Sequence, residues 1–294
     1  MIADGALARA LAEAGHSAEV TAARDLTGGC IHRVRRLTLD DGTVLVAKLN
    51  QAESHHLFEE EAVSLRALDA TGTVLVPEVL AVVRDAQTAV LLMTALDPIG
   101  PGRDQWRRFG EELAALHSVE STCAYGFETD NHLGTTPQPN GWCDDWVRFN
   151  AEHRLGHQLT RATGSDLLRP DEARCIEAVI ERLDSLIPRR PAVALLHGDL
   201  WSGNALGTVD PAGTARVAVI DPACSWGDGW ADIAMMKLFG GFPDECFHAY
   251  TACVGKAHQL ESRLAVYQLY HVLNHVNLFG RGYVAQAMAL VEKL

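Results

Sequence analysis

His197-Gly198-Asp199-Leu200-Trp201-Ser202-Gly203-Asn204 follows an apolar run at 192–196, and a second apolar run at 215–220 ends in Asp221-Pro222. Both runs read as short buried strands, so two carboxylates and one carboxamide sit on loops between rigid elements. The pattern H-G-D-x-x-x-x-N, then a strand and a second Asp, supplies the parts that phosphoryl transfer requires. One carboxylate, Asp199, receives the proton of an acceptor hydroxyl. The Asn204 amide oxygen and the Asp221 carboxylate hold magnesium on a triphosphate. Two aspartates in ordinary turns would account for neither the fixed interval nor the flanking strands.

Upstream, the runs at 34–39 and 43–49 alternate around Asp40-Asp41-Gly42, a hairpin signal. The hairpin begins at Gly28-Gly29, where backbone amides can approach a phosphate closely; a plain turn explains that pair about as well. The second run ends with Lys48 at its inner end, where a lysine needs a partner. The segment at 58–65 has apolar residues at helical spacing, and Glu61 borders the buried stripe. Lys48 and Glu61 therefore form a candidate pair that steers the ammonium onto phosphates, whereas Glu59 and Glu60 read as solvated. The run at 88–93 is a buried strand. Pro98, Gly100, Pro101 and Gly102 then break the chain, as a hinge between two lobes would. Backbone groups of Met93, Thr94 and Ala95 are the candidates for an adenine edge.

Downstream of the hinge the pattern is helical. The segment at 106–117 is amphipathic, with His117 at its end read as a satisfied core imidazole. A long loop, 125–142, is rich in turn residues and aromatics, which favours a functional role. Asp144-Asp145-Trp146 opens a helix; the two aspartates serve equally as its cap or as attractors of a cationic amine. Asp232 lies beside the motif loops and reads as a brace for their backbone. His271 and His275 are four apart, but Val272 stands where a zinc protease has Glu, so they read as helix packing.

The chain has 294 residues, 48% of them apolar and 21% charged, with a formal net charge of −13. These values describe a globular protein and argue against a nucleic-acid or anionic-membrane surface. No apolar run approaches a membrane span. Seven cysteines with no CxxC pair argue against a disulfide framework, and a cytoplasmic location follows as the expectation.

These residues carry a resemblance. The chain resembles the fructosamine kinase (ketosamine-3-kinase) family, a branch of the aminoglycoside-phosphotransferase-like kinases. The match runs through Gly28-Gly29-Cys30-Ile31, 58–61, Gly134-Thr135-Thr136-Pro137-Gln138-Pro139-Asn140, the 197–204 motif, Asp221-Pro222-Ala223 and 238–243. The H-G-D-x-x-x-x-N core is widely shared, while Leu200-Trp201-Ser202-Gly203 and the Thr-Pro-Gln-Pro-Asn loop are specific to this branch. The resemblance implies an α+β, bilobal protein-kinase-like fold, with a small antiparallel-sheet N-lobe at 1–95 and a mainly helical C-lobe at 96–294. It implies ATP and Mg2+ as cofactors and a ketosamine sugar hydroxyl as acceptor, free or on a glycated amine, which makes the activity deglycation repair. Asp199 matches the catalytic base, Asn204 and Asp221 the metal ligands, Gly28, Gly29, Lys48, Glu61 and 93–95 the nucleotide site. Trp201 is placed to line the acceptor pocket, with Trp226, Asp144 and Asp145 as further acceptor candidates.

One segment departs from the family pattern. After Ala223 the chain reads Cys224-Ser225-Trp226-Gly227-Asp228-Gly229-Trp230, with Asp228 and Trp230 where the family has His and Glu. That keeps open a kinase of another small amine or aminosugar, such as an aminoglycoside. A nucleotide-binding regulator without turnover is opposed by the joint presence of Lys48, Glu61, Asp199, Asn204 and Asp221. A metal-dependent hydrolase leaves the lysine strand and its glutamate unexplained. The oligomeric expectation is a monomer or a dimer, with Cys30 as a possible redox link; a small inert loop residue is the plainer role for it. If the thiol is reactive, peroxide should lower activity in the wild type and leave Cys30→Ser unaffected.

Overall fold

The computed structural model describes residues 5–26, 32–121 and 124–294. Gly28, Gly29 and Cys30, and the phosphate-loop and redox readings that rest on them, lie outside the described residues. In chain order the elements are α1 (Gly5–Glu13), β1 (Val20–Leu26), β2 (Arg33–Leu39), β3 (Val44–Gln51), α2 (His55–Asp69), β4 (Val79–Arg84) and β5 (Thr88–Thr94). There follow α3 (Arg103–Leu116), β6 (Asn131–Leu133), β7 (Thr136–Gln138), α4 (Trp146–Phe149), α5 (Gly156–Gly164), α6 (Pro170–Glu181), α7 (Leu183–Leu186) and β8 (Val193–Leu196). The rest are β9 (Ala205–Val209), β10 (Ala215–Val219), β11 (Ser225–Asp228), α8 (Trp230–Leu238), α9 (Asp244–Val254), α10 (Leu260–Phe279) and α11 (Val284–Val291).

The chain forms two compact units, 1–105 with 203–222, and 106–202 with 223–294. The sequence reading divides the chain once, after residue 95. In the structure the 96–105 segment stays with the first unit, where the Ile99 N–H donates to the Gly207 carbonyl at 2.8 Å. A Cβ on Gly207 would collide with that carbonyl of Ile99 and with the Pro101 ring, so the close approach depends on glycine.

The first unit is an antiparallel five-stranded sheet in the order β1-β2-β3-β5-β4. Gly42 turns the β2–β3 hairpin at φ 85°, the conformation that the Asp-Asp-Gly signal predicts. Alternate residues Leu37, Leu39, Leu45, Ala47 and Leu49 enter a core closed by Leu7, Ala10 and Leu11 of α1. The β9–β10 hairpin belongs to this unit, with Val219 N–H bonded to the Leu75 carbonyl at 2.8 Å.

The second unit is mainly helical. Its core gathers Trp146, Phe149, Leu155, Ile176, Val179, Leu183, and the buried face of α10. The helix expected from Asp144 onward is interrupted by a π-helical turn, Asn150–Leu155. The helix expected over 171–187 breaks at Arg182 into α6 and α7. Among the described residues no helix is long and apolar enough to cross a membrane.

The departing segment has a structural account. Asp228 is buried, and its Oδ2 accepts from Arg263 Nε at 3.1 Å, from Arg263 Nη2 and from Tyr267 Oη at 2.5 Å. Tyr267 Oη in turn accepts from Trp146 Nε1 at 2.8 Å. The aspartate at this position is thus half of an internal ion pair whose other half is on α10. Arg263→Met would leave the buried carboxylate without its cation. Urea denaturation should show a loss of about 3–5 kcal/mol, largely recovered when Asp228→Asn is added.

Candidate active site

Lys48 sits on β3 opposite Val34 of β2 and Leu91 of β5, and it is only 5% exposed. Its ammonium donates to Glu61 Oε1 at 2.6 Å and to Asp221 Oδ1 at 2.5 Å. Glu61 reaches it because Phe58, Ala62, Leu65 and Leu68 bury one face of α2, which leaves Glu61 at the edge of that face. Burial alone would lower the lysine pKa; the two carboxylates outweigh it and hold the ammonium above its ordinary value. Burial pushes Glu61 up to about 7, against the pull of Lys48, and the Asp221 charge adds to the rise. His32, half-buried beside this cluster, is lowered to about 4 by burial and then by Lys48, and its Nδ1 accepts from Asn50 Nδ2 at 2.9 Å. Nothing in the sequence singles out His32.

Asp221 has φ 56°, in the left-handed region that non-glycine residues seldom occupy. Such backbone strain concentrates at functional sites because something else must hold it in place. Here the Lys48 contact and the Ile220 N–H, which donates to the Asn204 carbonyl at 3.0 Å, hold the turn. Asn204 and Asp221 therefore lie on one braced backbone. Their donor set is a carboxylate and an amide oxygen, hard ligands that suit magnesium and not a thiophilic metal. One ammonium between two carboxylates leaves surplus negative charge, which a divalent cation would offset. The residues fit the cation that the sequence implies.

In the second unit, the motif loop is held from the protein side by Asp232. Its buried carboxylate accepts from the His197 N–H at 2.7 Å, the Gly198 N–H at 2.9 Å and His117 Nε2 at 3.2 Å. His117 Nδ1 lies 2.9 Å from Tyr250 Oη, so the imidazole is a satisfied core group. Burial works against the Asp232 charge, but the bonds from His117 and the loop amides hold its pKa below the carboxylate range. Gly198 adopts φ 86°, and any Cβ there would strike the Ala223 carbonyl. The Ala223 N–H closes the loop onto the His197 carbonyl at 2.8 Å, and Trp201 is left 39% exposed.

The long loop flagged in the sequence is a second brace. Asn131 Nδ2 donates to the Cys224 carbonyl at 2.9 Å and Gln138 Nε2 to the Ala223 carbonyl at 3.3 Å. Asn131 Oδ1 gathers Gln138 Nε2 at 2.8 Å and Asn140 Nδ2 at 3.0 Å, while Arg154 Nη2 donates to Asn140 Oδ1 at 2.8 Å. The Gln and Asn of the Thr-Pro-Gln-Pro-Asn run thus fix the backbone that follows Asp221-Pro222. The residue types announce polar function; which backbone they hold depends on contacts 85–93 residues away in sequence.

The remaining assignments divide. Asp145 caps α4, accepting from the Arg148 N–H at 3.0 Å, and pairs with Arg189 at 2.7 Å; the capping bond is the main reason its pKa falls. Asp144 pairs with Arg148 at 2.8 Å. Trp226 is half-buried and exchanges backbone hydrogen bonds with Gly126. Met93 is buried, and the Thr94 N–H is bonded to the Glu78 carbonyl at 3.0 Å, so that amide is already spent.

A lysine–glutamate pair on a five-stranded sheet, a strained Asp after a hairpin, and a braced H-G-D loop in a helical unit define a small-molecule kinase with a protein-kinase-like fold. The fructosamine kinase family model matches residues 4–294. A probable ketoamine kinase of Synechocystis sp. is 40% identical over 92% of this chain and 89% of its own. The chloroplastic protein-ribulosamine 3-kinase of Oryza sativa subsp. indica is 33% identical over 95% of this chain and 80% of its own. A crystal structure assigned as a fructosamine-3-kinase from Thermobifida fusca has 32% identity and a TM-score of 0.83, covering 97% of this chain and 96% of that one. The chain belongs to the fructosamine kinase family. A type I macrolide 2'-phosphotransferase, at 20% identity and TM-score 0.62, shares the fold, with 99% of this chain and 97% of that one covered.

Asp232→Asn gives the His197 and Gly198 amides a weaker, neutral acceptor. Turnover should fall by about one to two orders of magnitude, with little change in nucleotide KM. The depressed Asp232 pKa contributes stability that is complete above the ordinary carboxylate pKa and is lost as pH falls through the depressed value. Urea titrations of the variant at acid pH should therefore show a shallower loss of stability than the wild type.

Proposed function

We propose that the protein is an ATP-dependent ketosamine kinase that phosphorylates a sugar hydroxyl of a fructosamine-type adduct on an amine. The observation that carries this reading is the Lys48–Glu61–Asp221 cluster in a chain that matches the fructosamine kinase model from residue 4 to residue 294. The ester so formed destabilises the sugar–amine linkage and frees the amine, which amounts to deglycation.

Lys48 donates to phosphate oxygens of the nucleotide, and Glu61 keeps its ammonium aimed and charged. Asn204 and Asp221 are the residues that would hold Mg2+, which when bound neutralises charge on the phosphates. Asp199 accepts the proton of the acceptor hydroxyl as the oxygen attacks the terminal phosphorus, and ADP leaves. Trp201 offers a half-exposed indole for the sugar face, with Trp226 as a second acceptor candidate. Ala95 and the backbone just beyond it are assigned to the adenine edge, because the Thr94 amide is engaged. Asp145 is assigned to capping α4 and Asp144 to its ion pair with Arg148, in place of amine recognition. The Asp228–Arg263 pair supports the ketosamine reading over an aminoglycoside one, since it gives the departing segment an internal role.

Asp199→Asn should reduce turnover by about three or more orders of magnitude while MgATP affinity, read by calorimetry, stays near wild type. Turnover that survives the substitution would remove Asp199 from the role of base.

A further inference from the structure

On α10, His271, His275 and Phe279 are spaced four apart and share one helix face. His271 is buried, and with Gly198, Asp232 and Tyr270 it lines a cavity of about 30 Å³ beneath the motif loop. From there the face runs outward. The His275 ring lies 5.0 Å from Phe239, 5.5 Å from Phe279 and 5.0 Å from Tyr283, and Phe279 lies 6.0 Å from Tyr283. Burial lowers the His275 pKa, against the bond in which its Nδ1 donates to the His271 carbonyl at 2.8 Å. The four rings make an aromatic shelf whose outer members remain bare, Phe239 at 42% exposed and Phe279 at 58%.

The shelf is continuous with the acceptor loop. Phe239 is followed by Gly240 and Gly241 at φ 70° and 92°, and a Cβ on Gly241 would stand 2.5 Å from Ser202 Cβ and Oγ. This glycine turn is seated on the residue after Trp201, so the aromatic surface starts where the acceptor motif ends. Two exposed rings on one aromatic cluster mark a recognition surface. Trp201 is the ring assigned to the sugar face, and this second surface presents mainly ring faces and edges. It matches instead an apolar side chain beside the modified amine. A net charge of −13 favours the approach of a basic polypeptide.

Resting on the ketosamine kinase reading, we propose that Phe239, His275, Phe279 and Tyr283 read the residue next to a glycated lysine and select an apolar or aromatic one. The test uses two hexapeptides carrying fructosyl-lysine, identical except that the lysine is flanked by Phe in one and Gly in the other. The wild type should favour the Phe peptide by about tenfold in kcat/KM, with the difference in KM. Phe279→Ala and Phe239→Ala should each bring that ratio towards one; both rings are surface groups, and circular dichroism checks the fold. A wild type that treats the peptides alike, or a preference that survives in both variants, overturns the shelf while leaving the kinase reading intact. Failure on both peptides with an ester formed on free fructosyl-lysine or ribulosyl-lysine overturns the shelf alone; failure on the free ketosamines as well overturns the kinase reading, and the shelf with it.

Discussion

A lysine ammonium buried between two carboxylates is the constraint on which the first unit depends. A charge at 5% exposure is tolerable only with partners in direct contact. Lys48 finds one on α2 and one after β10, which draws a sheet strand, a helix and a hairpin that is remote in sequence onto a single point. With one ammonium facing two carboxylates, the arrangement carries surplus negative charge. It is therefore a fold element whose surplus negative charge a divalent cation would offset.

The second unit answers a different problem, which is to hold a loop of mostly main-chain hydrogen-bonding groups in one shape. Asp232 takes the two amides that open the motif, and the loop of Asn131, Gln138 and Asn140 takes the carbonyls of Ala223 and Cys224. Both braces are buried polar networks with their partners in place, so they specify one geometry and do not merely add stability. Arg154 completes the second with neutral oxygen acceptors and the Phe149 ring, 4.5 Å from the guanidinium carbon.

Most strands and helices were legible because their periodicity is local. The β2–β3 hairpin, β5, α3 and the strands before the two motif aspartates all appear where alternation or helical spacing puts them. Lys48 and Glu61 were legible because a charge at the border of an apolar run demands a partner. The rest depended on distant pairing. The strand β1, exposed along much of its length, is defined by its ladder with β2, and β11 by its ladder with β8. The sequence leaves Asp144 and Asp145 between capping and amine attraction; what it does not show are their partners Arg148 and Arg189, or the pairing of Asp228 with Arg263, 35 residues on.

The most direct measurement is phosphorus NMR of purified protein incubated with MgATP and each of fructosyl-lysine, ribulosyl-lysine, an aminoglycoside and glucosamine. The account predicts a new phosphate monoester on a ketosamine sugar, formed with ADP in equal amount and absent with Asp199→Asn. An ester formed only on the aminoglycoside or on glucosamine, or ATP hydrolysis with no ester on any acceptor, would contradict it.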